Sequence, residues 1–385
     1  MSRRRICVVV SARPSYSRVK SVLRAIREHP DLELQIVVTA WSLLERYGNV
    51  ARIIEDDGFE ISERAVSVLE GDHPTTMAAS TGLALIETAN ILQRLQPGFV
   101  VTIADRHETL ATAAAAAYMN IPLAHLQGGE VSGSIDEKVR HAVTKLSDLH
   151  LVSTARAAER VIQMGEDPST VWVTGCPSLD LAAEVLQSSG VDLDLFSKYE
   201  TIGPLQKLSS PYLVVLQHPV TSEREQAYLQ MMETLRAVKR FGLPALVFSS
   251  NGDAGIAGIA GSIQEFREAN PNETINYLGN MDPVDFLRLV NASACVVGNS
   301  SIGLRECSFL GVPAVNIGTR QTGRERAENV LDAPYDRDAI EKAIARQAKH
   351  GRYSPSTLYG TGDSGRAIAQ ILSEVSLNTV KILTY

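Results

Sequence analysis

The segment Ala294–Arg326, ACVVGNSSIGLRECSFLGVPAVNIGTRQTGRER, decides the fold. An apolar run, Ala294–Val297, breaks at Gly298 into the polar turn Asn299-Ser300-Ser301. The pattern from about Gly303 to Leu310 suits a helix, and Gly311-Val312-Pro313 punctuates entry into a second apolar strand, Ala314–Ile317. Strand, turn, helix, strand is an α/β unit, and ligands settle in the crevice at the carboxyl end of such a strand. A helix starting there offers unpaired N–H groups to an anion, and the small residues Ser300, Ser301 and Gly303 let one approach. Arg320, Arg324 and Arg326 follow the next strand at the same edge. The stretch reads as a phosphate or diphosphate site. The plainer alternative is a Ser/Gly turn beside solvated arginines.

The same alternation runs through the chain on both sides. Apolar strands at Ile6–Val10, Leu34–Val38, Phe99–Ile103, Leu123–Leu126, Leu149–Val152 and Val171–Thr174 alternate with helical patterns. The rhythm breaks between Gln187 and Ser210, where Gly190, Gly203, Pro204 and paired serines interrupt it. It resumes at Tyr212–Leu216, Leu243–Ser249 and Thr274–Leu278. Such alternation implies mostly parallel sheets covered on both faces. At 385 residues, two domains fit better than one. The expected fold class is α/β, with an N-terminal α/β domain over 1–187 and a linker over 188–210. A second α/β domain, carrying the phosphate or diphosphate site, follows over 211–365, and a helix and tail over 366–385.

Composition narrows the function. A net charge of −7 argues against nonspecific binding to nucleic acid or anionic membrane, yet leaves room for a locally basic pocket. Cys7, Cys176, Cys295 and Cys307 are scattered without CxxC spacing, as for buried thiols in a reducing compartment. MSRRR leads straight into ICVVV, too short for a secretory apolar region, and no apolar run reaches spanning length. The expectation is a soluble cytoplasmic protein with no nucleic-acid or membrane partner.

Polar side chains recur at the carboxyl ends of the expected strands. Arg13 follows the first, Asp105 follows Phe99–Ile103, and His125, Gln127 and Glu130 follow Leu123. In the second half His218 follows Tyr212–Leu216, and Asn251 and Asp253 follow Leu243–Ser249. Each has a structural alternative. Asp105 can cap the next helix, and His125 can be a hydrogen-bonded core histidine. Gly128-Gly129 makes a tight turn that aims Glu130. Ser134-Ile135-Asp136-Glu137 is a capping box, which accounts for Glu137 and leaves Asp136 free in the first turn. His125, Glu130 and His141 invite a zinc reading, but no HExxH or HxH spacing supports it, so no metal is expected. His218, fixed by Pro219, suits contact with phosphate or sugar.

These motifs together resemble UDP-N-acetylglucosamine 2-epimerases, in particular the hydrolysing branch that makes N-acetylmannosamine for sialic-acid-type sugars. The resemblance rests on SARPSYSRVK at Ser11–Lys20, HLQGGEVSGSIDEKVRHAVTK at His125–Lys145 and MGEDPSTVWVTGCPSLD at Met164–Asp180. QHPVTSE at Gln217–Glu223, NGDAG at Asn251–Gly255, GNSSIGLRE at Gly298–Glu306 and NIGTRQTGRERAENV at Asn316–Val330 extend it over nearly the whole chain.

The resemblance implies a glycosyltransferase-B type fold, two Rossmann-like domains flanking an active-site cleft, with the last helix returning to the first domain. Ser300, Ser301 and Glu306 would hold UDP, Glu306 through ribose hydroxyls. Arg13, Arg320 and His218 would lie on the phosphate side, with Asn251 lining the nucleotide pocket. Asp105, Glu130, Asp136 and His218 are the catalytic candidates. Gly303, Arg324, His125 and Gln127 complete the expected binding set. No cofactor is implied, and a homo-oligomer is expected, although apolar helices such as Met77–Leu95 can equally be core. Two positions depart from the family pattern. Arg18 stands where relatives carry lysine, keeping the charge but changing its reach. Gln127 stands where relatives that make N-acetylmannosamine carry glutamate, and an amide cannot exchange a proton at neutral pH. The implied reaction eliminates UDP across C1–C2 and hydrates the resulting glycal. The rivals are a non-hydrolysing epimerase, a glycosyltransferase, a hydrolysing epimerase for a modified sugar, and a binding protein without catalysis.

Overall fold

A computed structural model describes residues 3–45, 49–69, 74–103, 107–132, 136–188, 195–205, 207–208, 211–249, 255–376 and 380–384. The side chains of Pro74, His107 and Asp136 are outside that description. The chain forms two compact units. The first comprises Met1–Val131, Ile135–Asp180 and Tyr359–Tyr385, and the second Ser132–Ser134 and Leu181–Leu358.

The first unit is built on strands β1 (Arg4–Val10), β2 (Leu32–Thr39), β3 (Glu63–Ala65), β4 (Phe99–Ile103), β5 (Leu123–Leu126), β6 (Leu149–Val152) and β7 (Val171–Val173). They pair in parallel in the order β3-β2-β1-β4-β5-β6-β7. An unbroken apolar run such as Ile6–Val10 forms a strand because both of its faces are covered. Ile6, Val8 and Val10 enter one core cluster, while Cys7 and Val9 enter the cluster on the opposite face. Burying each of the larger side chains contributes about 1.5–3 kcal/mol.

Helix Ser364–Glu374 packs on helix Arg13–Glu28 in this unit, far from its place in sequence. Its ends are capped from a distance. Asp180 accepts hydrogen bonds from the Ser364 and Gly365 N–H groups at 2.9 and 2.7 Å. Arg4 donates to the Leu372 and Val375 carbonyls, each at 2.7 Å. These contacts satisfy backbone groups that every helix leaves open at its termini.

The second unit contains β8 (Thr201–Ile202), β9 (Leu213–Leu216), β10 (Ala245–Phe248), β11 (Ile275–Leu278), β12 (Cys295–Gly298), β13 (Ala314–Ile317) and β14 (Val330–Ala333). The order is β14-β13-β12-β9-β10-β11-β8, parallel apart from the antiparallel β8 edge. The edge strand β8 and helix Leu195–Lys198 lie within the stretch 188–210. Both sheets reverse strand order beside their first central strand, at β1/β4 and at β9/β12. Such switch points open a crevice beyond the strand ends. Among the described residues, no helix is long and apolar enough to cross a membrane.

Candidate active site

In the second unit the site is organised at the β9/β12 switch point. Gly298 ends β12 with φ +136°, and a Cβ there would lie 2.2 Å from the Leu216 carbonyl oxygen. Only glycine permits that approach. It delivers Asn299, which is fully buried, to the strand-end residue His218. Asn299 Oδ1 accepts from the His218 N–H at 2.7 Å, and its Nδ2 donates to the His218 carbonyl at 2.8 Å. The Asn299 carbonyl accepts from Gln321 Nε2 at 2.8 Å and Arg320 Nη1 at 3.3 Å. Gln321 Oε1 then accepts from Arg324 Nη1 at 2.8 Å. A single buried asparagine therefore ties His218, Arg320 and, through Gln321, Arg324 to one strand edge.

The helix expected from Gly303 to Leu310 is broken in two. Ser301–Gly303 is a 3-10 turn, and helix Glu306–Leu310 has only five residues. Arg305, between them, has φ −99° and ψ −76°. The N–H groups of Gly303, Leu304 and Arg305 bond to the Ser300 and Ser301 carbonyls, and that of Ile302 to Ser300 Oγ. The expected row of open N–H donors is thus largely used within the turn. Glu306 presents a buried carboxylate oxygen, Oε2, that has no hydrogen-bond partner among the described residues. Arg326 pairs with Asp332 and donates to the Gln321 carbonyl, which commits it to holding the loop.

In the first unit, Arg13 opens helix Arg13–Glu28 after β1. Arg18 lies five residues on, about 140° around the helix at 100° per residue, so the two do not share a face. His125 is fully buried on β5, with Nδ1 3.2 Å from Thr144 Oγ1. In this geometry it braces helix Asp136–Leu146. Gln127 follows in the left-handed region at φ +65°, buried, with Nε2 3.0 Å from the Cys176 sulfur. Cys176 also lies 3.0 Å from Ser178 Oγ. Gly129 turns at φ +72° with no room for a side chain, since a Cβ would lie 2.2 Å from the Ala157 carbonyl oxygen.

That turn fixes Glu130, which is buried, and its carbonyl accepts from the buried Arg140 Nη1 at 2.9 Å. Asp136 is the first residue of helix Asp136–Leu146. Glu137 engages Arg140 and His141 at 3.4 and 3.0 Å. Asp105 and Asn251, with Asp253 and the capping residue Ser134, lie outside the described residues. Among the described residues, no three His, Cys, Asp or Glu side chains group to hold a metal ion.

Sequence reasoning passed over Asn299, Gln321 and Cys176 as site residues. A fixed spacing, Gly-Asn-Ser-Ser directly after an apolar strand, was the one available signal for Asn299. Gln127 and Cys176 are 49 positions apart, and no local pattern pairs them.

Comparison with known proteins completes the picture. The chain is 32% identical over 376 residues to the UDP-N,N'-diacetylbacillosamine 2-epimerase (hydrolyzing) of Legionella pneumophila, covering 98% of this chain and 97% of that one. It is 33% identical to polysialic acid biosynthesis protein P7 of Escherichia coli, covering 89% and 85% of the two chains. The solved UDP-GlcNAc 2-epimerase of Neisseria meningitidis, bound to UDP-GlcNAc, superposes with a TM-score of 0.79 at 15% identity, covering 96% and 99%. At that identity the likeness concerns the fold, a glycosyltransferase-B-like pair of α/β domains. The profile of the UDP-N-acetylglucosamine 2-epimerase family matches residues 24–373. With a profile match of that length and a relative 32% identical from end to end, this chain belongs to the UDP-N-acetylglucosamine 2-epimerase family.

Proposed function

We propose that this enzyme is a hydrolysing 2-epimerase, converting a UDP-2-acetamido sugar and water to UDP and the free 2-epimer. UDP-N-acetylglucosamine, yielding N-acetylmannosamine, is the reference substrate. The observation that carries this reading is the end-to-end similarity to the Legionella hydrolysing enzyme. The buried Glu306 oxygen, without a partner among the described residues, supports a hydroxyl-bearing ligand at that strand edge, such as the ribose of UDP. Ser300, Ser301, Arg320 and Arg324 would complete the UDP side, with His218 held at the phosphates. Asn251 would line the nucleotide pocket.

The chemistry follows from what the bond requires. A C2 proton beside a ring carbon is weakly acidic, so its removal needs a close base and a departing group at C1. The base takes the proton, the C2–H pair becomes the C1–C2 double bond, and the C1–O bond to UDP breaks. Positive side chains stabilise the charge developing on the diphosphate. Water then adds its hydroxyl to C1, and a proton reaches C2 from the opposite face. Asp105, Glu130 and Asp136 are the proposed proton-transfer groups, since carboxylates exchange protons and Gln127 does not.

A second reading, a hydrolysing epimerase for a more heavily modified sugar, has its own support. Gln127 is turned onto Cys176, leaving an amide where a carboxylate was expected, and two similar enzymes are named for N,N'-diacetylbacillosamine. Proton NMR in heavy water tests both readings. UDP release with N-acetylmannosamine deuterated at C2 is the expected result for the first. Silence with UDP-N-acetylglucosamine and turnover with UDP-N,N'-diacetylbacillosamine would select the second. Nucleotide sugar that exchanges deuterium but persists would overturn hydrolysis.

A further inference from the structure

The tail segment Val380–Thr384 makes a set of contacts that the reaction above leaves unexplained. Lys381 Nζ lies 3.2, 2.9 and 2.5 Å from the carbonyl oxygens of Thr144, Lys145 and Ser147. These belong to the last turn of helix Asp136–Leu146 and the residue after it. The same ammonium lies 2.5 Å from Oε2 of Glu166, which also accepts from Lys145 at 2.5 Å and from His150 at 2.9 Å. Glu166 is 1% exposed and His150 is fully buried. Thr384 anchors the segment further, its N–H bonding to the Gly165 carbonyl at 3.2 Å.

A cation at a helix carboxyl end satisfies open carbonyls and complements the helix dipole. Here it is supplied from more than 230 positions away in sequence. The helix it holds begins at Asp136, and two of its other residues brace the candidate site. Thr144 Oγ1 contacts His125, and Arg140 binds the Glu130 carbonyl. Sliding the helix along its axis would move all three together.

We propose that Lys381 is a positioning residue for 2-epimerisation, clamping the carboxyl end of helix Asp136–Leu146 and so setting the placement of Asp136, Arg140 and the Glu130 turn. The proposal rests on the functional reading above. It assigns the tail a part in turnover without any contact to substrate.

The test uses the full-length enzyme with Lys381→Met, which keeps the apolar stem, and Lys381→Arg, which keeps the charge. Steady-state kinetics, UDP titration and amide hydrogen exchange are read on each. Lys381→Met is expected to lower kcat about tenfold to hundredfold, the cost of roughly an ångström of misplacement. KM and UDP affinity should stay within about threefold, because the UDP side lies on other strands. Exchange should quicken in helix Asp136–Leu146 and remain unchanged in helix Ala227–Phe241. Lys381→Arg should recover most of kcat and of the exchange protection. Wild-type kcat in Lys381→Met, or a loss of kcat with exchange in helix Asp136–Leu146 unchanged, would overturn the proposal. Wild-type enzyme inactive on every UDP-2-acetamido sugar would instead overturn the functional reading, and the exchange comparison alone would then decide the clamp.

Discussion

Asn299 holds the His218 peptide by both of its polar groups, with Oδ1 2.7 Å from the N–H and Nδ2 2.8 Å from the carbonyl. This two-point grip spans the switch point between β9 and β12 and makes the histidine's position a property of the asparagine. Replacing Asn299 with alanine leaves a buried donor and a buried acceptor unsatisfied, at about 1–3 kcal/mol each. We expect Asn299→Ala to lose about 2–6 kcal/mol of stability and to weaken UDP binding about tenfold. Calorimetric titration with UDP and urea unfolding check the two effects. Unchanged UDP affinity would remove this residue from the ligand side of the enzyme.

The Gln127 contact with Cys176 makes a charge test possible. Gln127→Glu puts a carboxyl into a buried position 3.0 Å from a sulfur, where burial disfavours the ionised form and raises its pKa. A group with a raised folded-state pKa contributes its stability below the unfolded value and loses it as pH rises through the folded value. Gln127→Glu should therefore be close to wild type in thermal midpoint at pH 4.5 and clearly below it at pH 8. An equal deficit at both values would show that the new carboxyl titrates alike in the folded and unfolded chains, against the burial argument.

Gly129→Ala should be among the most damaging single substitutions in the first unit. Its Cβ would meet the Ala157 carbonyl oxygen at 2.2 Å, and its φ of +72° is costly for alanine. Strain of this kind costs about 1–3 kcal/mol before any displacement is counted. The displacement falls on Glu130, so kcat should drop by more than the loss of folded protein explains. Activity per folded molecule, measured beside the thermal midpoint, separates the two.

Acid should release the Glu166 cluster in a defined window. Burial pushes the Glu166 carboxyl upward, but hydrogen bonds from His150, Lys145 and Lys381 outweigh it and leave it at about 2. Burial likewise holds the His150 imidazole below its ordinary range, against the pull of the Glu166 carboxylate. With the Glu166 pKa depressed on folding, the stabilisation is complete above the unfolded value and fades as pH falls from about 5 to 2, in total about 3 kcal/mol. The stability difference between wild type and Glu166→Gln should shrink through that window. Urea midpoints at pH 3, 5 and 7 give the curve, and a constant difference would contradict the assignment.

Much of the fold was legible because fully covered parallel strands leave unbroken apolar runs, as at Ile6–Val10 and Ala294–Val297. Strand ends were equally readable, which placed Arg13, Gln127, Glu130, His218 and Arg320 at sheet edges before any coordinates. What escaped was whatever depended on long-range hydrogen bonding. The Asn299 grip looks locally like any polar turn, and Lys381 like any solvated tail lysine. The break between Ser301–Gly303 and Glu306–Leu310 leaves no mark in the sequence, whose pattern there suits one continuous helix. Propensity cannot register that Arg305 is buried, at 2% exposure, in a kinked backbone.

Asp180 and Arg4 cap a helix that the ribosome makes long after the strands it covers. The first unit lacks its Tyr359–Tyr385 part until all of Leu181–Leu358, which is contiguous, has been synthesised. At about 5–20 residues per second, roughly 9–36 s separate Asp180 from Tyr359. During that interval the face of helix Arg13–Glu28 that later receives Ser364–Glu374 stays uncovered, so nascent chains should lean on holdase chaperones throughout it. A circular permutant that begins near Tyr359 would present the missing helix first, and its yield in a chaperone-poor translation extract should exceed that of the natural order.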